Sequence, residues 1–257
     1  MMGRIALGVE YQGSGFHGWQ RQLRDLTVQG VLEGALAAVA GEPIGVIAAG
    51  RTDRGVHATG QVVHFDTSVG RSLQAWVRGT NAHLPSTVAV LWAWPVVEPF
   101  HARFSARSRT YRYRLLSHPV RPAYASGVLG WTHRPLTLDK LRAGCGWILG
   151  THDFSAFRAA ECQAKTPIKT LLRAEVERVG EEFHFTFQAD AFLQHMVRNL
   201  VGALIQVGSG AASPEWMAEL LRQGDRSRAA PTFAPEGLCL SAVEYDEAWN
   251  LPRGRQE

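Results

Sequence analysis

The chain has 257 residues, of which 46% are hydrophobic and 19% charged, with a formal net charge of +4; this ordinary globular balance excludes a disordered polyelectrolyte and leaves room for one large domain or two smaller ones. Its three cysteines (Cys145, Cys162 and Cys239) are dispersed and lack C-x-x-C spacing, which argues against a zinc site or a disulfide framework and fits a reducing cytosol. The opening MMGRIALGVEYQGSG has no apolar h-region, and the longest apolar run, Val88–Val97, is short and broken by Pro95, so neither a signal peptide nor a membrane span is expected.

In chain order, Ile5–Tyr11 predicts a strand that ends in the turn signal Gln12-Gly13-Ser14-Gly15. Thr27 is placed to cap a helix over Val28–Ala40, with Val28, Val31, Leu32, Ala35, Leu36 and Val39 on one stripe. Ile44–Ala48 and Gln61–Thr67 read as strands around a polar loop, Ser72–Leu84 as a helix and Val88–Val96 as a strand. That order, β-α-β-β-α-β, is a split βαβ or ferredoxin-like half. In the second half, Arg109–Leu116 alternates as a strand, Thr137–Leu149 reads as a helix, and Leu171–Val179 with Glu182–Gln188 form a strand pair around Gly180. Phe192–Val207 reads as a long amphipathic helix, Ser213-Pro214 opens a helix through Leu221, and Leu238–Tyr245 closes as a strand. Residues 222–237 predict an ordered surface loop, and the tail after Trp249 is expected to fray. The predicted class is α+β, with an N-terminal half at 1–106, a C-terminal half at 107–257 and possible continuity between their antiparallel sheets.

Four stretches carry chemistry. The first is Ala49–Phe65, AGRTDRGVHATGQVVHF, which sets Asp53 between Arg51 and Arg54 on a backbone loosened by Gly50, Gly55 and Gly60, with His57 close behind. A carboxylate beside guanidinium groups stays ionised, so it suits a nucleophile or base and not a general acid. The same composition also describes a self-neutralising surface turn. The second, FHARFSARSRTYRY at 100–113, interleaves Phe100, Phe104, Tyr111 and Tyr113 with Arg103, Arg107, Arg109 and Arg112. This suits single-stranded or unstacked nucleic acid, with phosphates on arginine and bases on rings, or else a hairpin arm with an apolar face and a solvated basic face. Third, in FLQHMVRNLVGALIQVG at 192–208, Gln194, Arg198 and Gly202 line one face; the glycine one turn after Arg198 leaves room for a ligand or another chain, or else Arg198 is an ordinary exposed arginine. The fourth is the glycine-rich YQGSGFHGWQRQ at 11–22, either an RNA-contacting finger or a loop pinned by Phe16 and Trp19. Lysine occurs only at 140, 165 and 169, which leaves 24 arginines among the 27 basic residues; arginine suits phosphate, and a GC-rich genome would give the same bias. Histidine spacing supports no metal site, and no phosphate-binding glycine loop follows a strand.

Together these motifs, with VQGVLEGAL at 28–36 and THDFSAF at 151–157, resemble the TruA family of tRNA pseudouridine synthases, in family order across nearly the whole chain. The resemblance implies two α+β halves flanking an RNA cleft and isomerisation of uridine to pseudouridine in the tRNA anticodon arm, at tRNA positions 38, 39 and 40. It further implies a cytoplasmic homodimer with tRNA as partner and no cofactor. By motif position, Asp53 resembles the essential catalytic aspartate, Tyr111 the tyrosine that stacks on the target uracil, and Arg198 the arginine that pairs with the aspartate. Arg51, Arg54, His57 and Arg107 are candidate RNA contacts. Two other classes stay open: a non-catalytic RNA-binding or tRNA-folding protein, and a carboxylate-dependent glycosidase or nuclease.

Overall fold

The computed structural model describes residues 3–252. They divide into two compact units: one runs through Arg107 and resumes at Cys239, and the other is Ser108–Leu238. The predicted boundary near 106 lies next to the observed one, but the C-terminal stretch assigned to the second half groups with the first. Strand pairing explains the difference. The last strand, β10 (Leu238–Tyr245), runs parallel to β3 (His57–Thr67), with Cys239 opposite His57 and Leu240 opposite Ala58.

In the first unit, β1 (Gly3–Tyr11) lies between β3 and β4 (Val88–Val96), antiparallel to both. The far side of β3 is shared: β10 pairs with its beginning, and β2 (Ile47–Ala48) with His64 and Val63. The apolar run predicts a strand from Ile44, yet only two residues pair. The Val46 N–H donates to the Glu33 carboxylate at 3.1 Å instead, tying the segment to α1 (Val28–Ala40). Helix α1 starts where the capping signal puts it, with Thr27 Oγ1 accepting the Gly30 N–H at 3.3 Å. Ser72 caps α2 (Leu73–His83) in the same way, accepting from Ala75 at 3.1 Å. The two helices pack on each other, and the fully buried Trp76 meets Phe65 of β3 edge-on at 5.1 Å. This β1-α1-β2-β3-α2-β4 unit is the split βαβ arrangement that the sequence predicts.

The expected fraying after Trp249 meets a packed chain. Trp249 sits edge-on against Phe100 at 5.1 Å, and Leu251 packs on the same apolar cluster. Residues 253–257 of that expectation lie outside the described residues.

Against segment 100–102, between β4 and the next strand, His64 is buried, and its Nδ1 accepts the Ala102 N–H at 3.1 Å. Burial, the nearby His101 ring and Arg4 pull its pKa down from 6.5 to about 4. Between those pH values the unfolded chain binds the proton and the folded chain resists it. Stability is therefore fully present above pH 6.5 and is lost as pH falls toward 4. The melting temperature is expected to drop between pH 7 and pH 4.5, and His64→Phe, which cannot titrate, is expected to flatten that dependence.

The second unit orders its strands β5-β9-β8-β7, all antiparallel. These are β5 (Ala106–Ser117), β7 (Gly150–Asp153), β8 (Ile168–Val179) and β9 (Glu182–Ala189). Short β6 (Gly130–Thr132) adds in parallel to β5. Gly180, at φ +63°, turns β8 into β9 as its position predicts. Phe183, Phe185 and Phe187 alternate inward along β9. Helix α3 (Leu138–Gly146) packs on β8 and on α4 (Met196–Gly208); α5 (Trp216–Gln223) follows. Among the described residues, no helix is long and apolar enough to cross a membrane.

Candidate active site

Asp53 stands in the loop between β2 and β3, half-buried, with Arg51 and Arg54 exposed on either side. Its own carbonyl accepts the Val56 N–H at 3.1 Å, closing a turn in which Gly55 has φ +79°. That sign of φ at the third position of a turn favours glycine. The loop is clamped by the glycine-rich segment 12–20. Trp19 donates its N–H to the Thr52 carbonyl at 3.0 Å, and Gly55 donates to the Phe16 carbonyl at 3.4 Å. Gly18, at φ +90°, lies so close that a Cβ would sit 2.9 Å from the Thr52 carbonyl oxygen. A Cβ on Gly13 would collide with the Val56 carbonyl. From below, the Tyr11 hydroxyl meets Thr52 Oγ1 at 2.8 Å, and Gln61 Nε2 donates to the Gly50 carbonyl at 2.7 Å. Burial holds the Tyr11 hydroxyl well above its ordinary pKa, so it remains a neutral strut. Of the two readings of segment 11–22, the pinned loop describes Phe16 and Trp19, both buried. What they pin is the Asp53 turn.

His57 takes part in this clamp. It is 9% exposed, and its Nδ1 accepts the Gly13 N–H at 3.0 Å. That bond requires an unprotonated Nδ1, which suits a fastener more than a phosphate contact. Arg107, at the edge of the first unit, is exposed and forms an ion pair with Asp246.

Tyr111 and Arg198 belong to the second unit. Tyr111, on β5, is buried and meets Phe192 edge-on at 5.1 Å. Phe192 opens the segment leading into α4, so the tyrosine strand and the arginine helix are joined through this ring. The apolar pattern predicts a helix from Phe192, whereas α4 begins at Met196. Residues before it are held elsewhere: Ala159 N–H donates to the Gln194 carbonyl at 3.1 Å, Gln194 N–H points at Cys162 Sγ, and His195 has φ +62°. Arg198 Nε donates to the Phe233 carbonyl at 2.8 Å. The space beside Gly202 is filled by the chain itself, since a Cβ there would lie 2.5 Å from the Pro231 carbonyl oxygen.

Two different segments of the chain match the family model described as tRNA pseudouridine synthase, residues 8–105 and 147–246. The chain belongs to the tRNA pseudouridine synthase family. It is 58% identical over 249 residues to the tRNA pseudouridine synthase A of Dechloromonas aromatica, covering 97% of this chain and 95% of that one. It is 54% identical over 255 residues to that of Thiobacillus denitrificans, covering 99% and 98%. Its fold is the α+β pseudouridine synthase fold. Within this synthase family member, the matched segments hold Asp53 and Arg198, and Tyr111 lies between them.

Sequence spacing gives no sign of the network that seats Arg198. The fully buried Asn199 donates to the Phe157 carbonyl at 2.8 Å. Its Oδ1 accepts from Thr232 at 2.7 Å and Arg226 at 3.1 Å, and Arg226 also donates to the Ala230 carbonyl at 2.8 Å. One buried amide thus fastens segment 226–233 to α4. Asn199→Leu leaves buried donors and an acceptor unsatisfied, and is expected to destabilise the protein by about 2–4 kcal/mol in urea unfolding. A change below about 1 kcal/mol contradicts this role.

Proposed function

We propose that this protein isomerises uridine to pseudouridine in the anticodon arm of tRNA, at positions 38, 39 and 40, with Asp53 as the catalytic residue. The observation that carries this reading is the family match spanning both the clamped Asp53 turn and the Arg198 helix. The N1–C1′ bond of uridine breaks, the uracil turns over, and C5 bonds to C1′. No atom is added, so the reaction calls for no group-carrying or redox cofactor. Asp53 attacks C1′, attacks C6, or removes the C2′ proton; each route needs an ionised carboxylate held against the nucleotide. Arg198 serves as its cationic partner. Tyr111 stacks on the uracil and keeps the detached base from escaping. The target uridine must leave its stack, at a cost of a few kcal/mol offset by these contacts. Arg51, Arg54 and Arg107 supply phosphate contacts, with Arg107 exchanging Asp246 for RNA, and His57 holds the loop.

Mapping pseudouridine in tRNA before and after incubation with the purified protein tests the proposal. New pseudouridine at these positions supports it, and none overturns it. Free uracil or cleaved strands would point instead to glycosidase or nuclease chemistry. A cytoplasmic homodimer is part of the same reading, and sedimentation at the monomer mass at working concentration would overturn the dimer.

A further inference from the structure

The four rings of the aromatic and basic segment 100–113 have different fates. Phe100 and Tyr113 are fully buried, and Tyr111 lies under Phe192. Phe104 is 76% exposed. It is nonetheless held in place. One face rests on the His101 ring, with centroids 4.3 Å apart and planes 26° from parallel. His101 in turn meets the His64 ring of β3 at 4.8 Å. The backbone locks His101: its Nδ1 accepts the N–H groups of Arg103 and Phe104, both at 3.2 Å, and its own N–H donates to Ser105 Oγ at 2.9 Å. The Arg103 guanidinium carbon lies 5.6 Å from the centre of the Phe104 ring, and both Arg103 and Arg107 are exposed.

A solvent-facing ring backed by a stacked imidazole, with the Arg103 guanidinium beside it, matches one chemistry well: an unpaired base stacks on the ring while its phosphates meet arginine. We propose that Phe104 is a stacking platform for an unstacked base of the bound tRNA. The inference rests on the tRNA-modifying reading above. His64 stands seven residues along β3 from His57, on the order of 20 Å, so the stacked base is a different nucleotide from the one presented to Asp53. A base within a duplex has both faces covered, which assigns the platform to a loop or bulge nucleotide.

The test compares Phe104→Ala, Phe104→Leu, Phe104→Tyr and Phe104→Trp on anticodon-arm RNA carrying 2-aminopurine at single loop positions. Wild type, Phe104→Tyr and Phe104→Trp are expected to quench one loop position and to bind alike. Phe104→Ala and Phe104→Leu are expected to lose that quenching and bind on the order of tenfold more weakly. KM should rise by a similar factor, with little change in kcat. Equal binding by Phe104→Leu and wild type would overturn the platform, because leucine keeps apolar contact without the ring. So would a Phe104→Ala effect on sedimentation with RNA affinity unchanged, which would make the ring a protein contact. These arms read RNA binding directly. Absence of pseudouridine with the wild type would overturn the activity while leaving the platform result legible.

Discussion

Asp53→Asn is expected to abolish pseudouridine formation, lowering turnover by about 10³-fold or more, while tRNA affinity stays within about threefold of wild type. The substitution is nearly isosteric and leaves the surrounding clamp of backbone hydrogen bonds in place. What it removes is the anionic oxygen required by all three chemical routes. Asp53→Glu separates the presence of charge from its position. It restores the carboxylate but moves it by about one bond length, and a displacement of this size costs about 10²-fold. Pseudouridine yield under single-turnover conditions, beside a tRNA binding curve for each variant, checks both values. Turnover by Asp53→Asn at the wild-type rate would end the catalytic assignment.

The second large effect is expected from a residue with no reacting group of its own. Gly13→Ala places a methyl group against the Val56 carbonyl, which is backbone and cannot swing aside. Either the glycine-rich loop or the Asp53 turn must move. Both options strain the Gly13 N–H bond to His57 and the Gly55 bond to Phe16. The expected result is about 1–3 kcal/mol of lost stability together with about 10²-fold lower kcat/KM. Gly15→Ala is the matched control: a Cβ there meets nothing within 4 Å. It is expected to leave both quantities near wild type. If both variants behave alike, the Gly13 contact does not position Asp53.

The sequence was most informative where a signal is local. The Thr27 and Ser72 caps, the stripe along α1 and the bounds of β4 and β10 all follow from spacing within a few residues. Strands β6 and β7 are too short to show alternation, and they form through partners brought by tertiary contact. The apolar period runs on through 192–195 and predicts an earlier start for α4, whereas hydrogen bonds to segment 159–162 set the backbone there. For the candidate site, local composition indicates an ionised carboxylate at Asp53, and the family motif supplies its proposed partners. Neither tells which ring of segment 100–113 reaches solvent, since alternation gives a face and only packing decides that Phe104 stays outside. The clamp of Gly13 and Gly18 on the Asp53 turn is likewise invisible, because it joins residues about forty positions apart.

The pairing of β10 with the start of β3 has a consequence in time. The partners, Leu240 and Ala58, are separated by the whole second unit. At about 5–20 residues per second of synthesis, the edge of β3 next to the Asp53 loop waits roughly ten to forty seconds for its neighbour. During that interval a nascent chain carries the complete Asp53 loop on a strand whose backbone edge is open to foreign pairing. A truncated or stalled product ending before residue 238 therefore lacks more than a tail. It lacks the strand that pairs with the start of β3, next to the Asp53 loop.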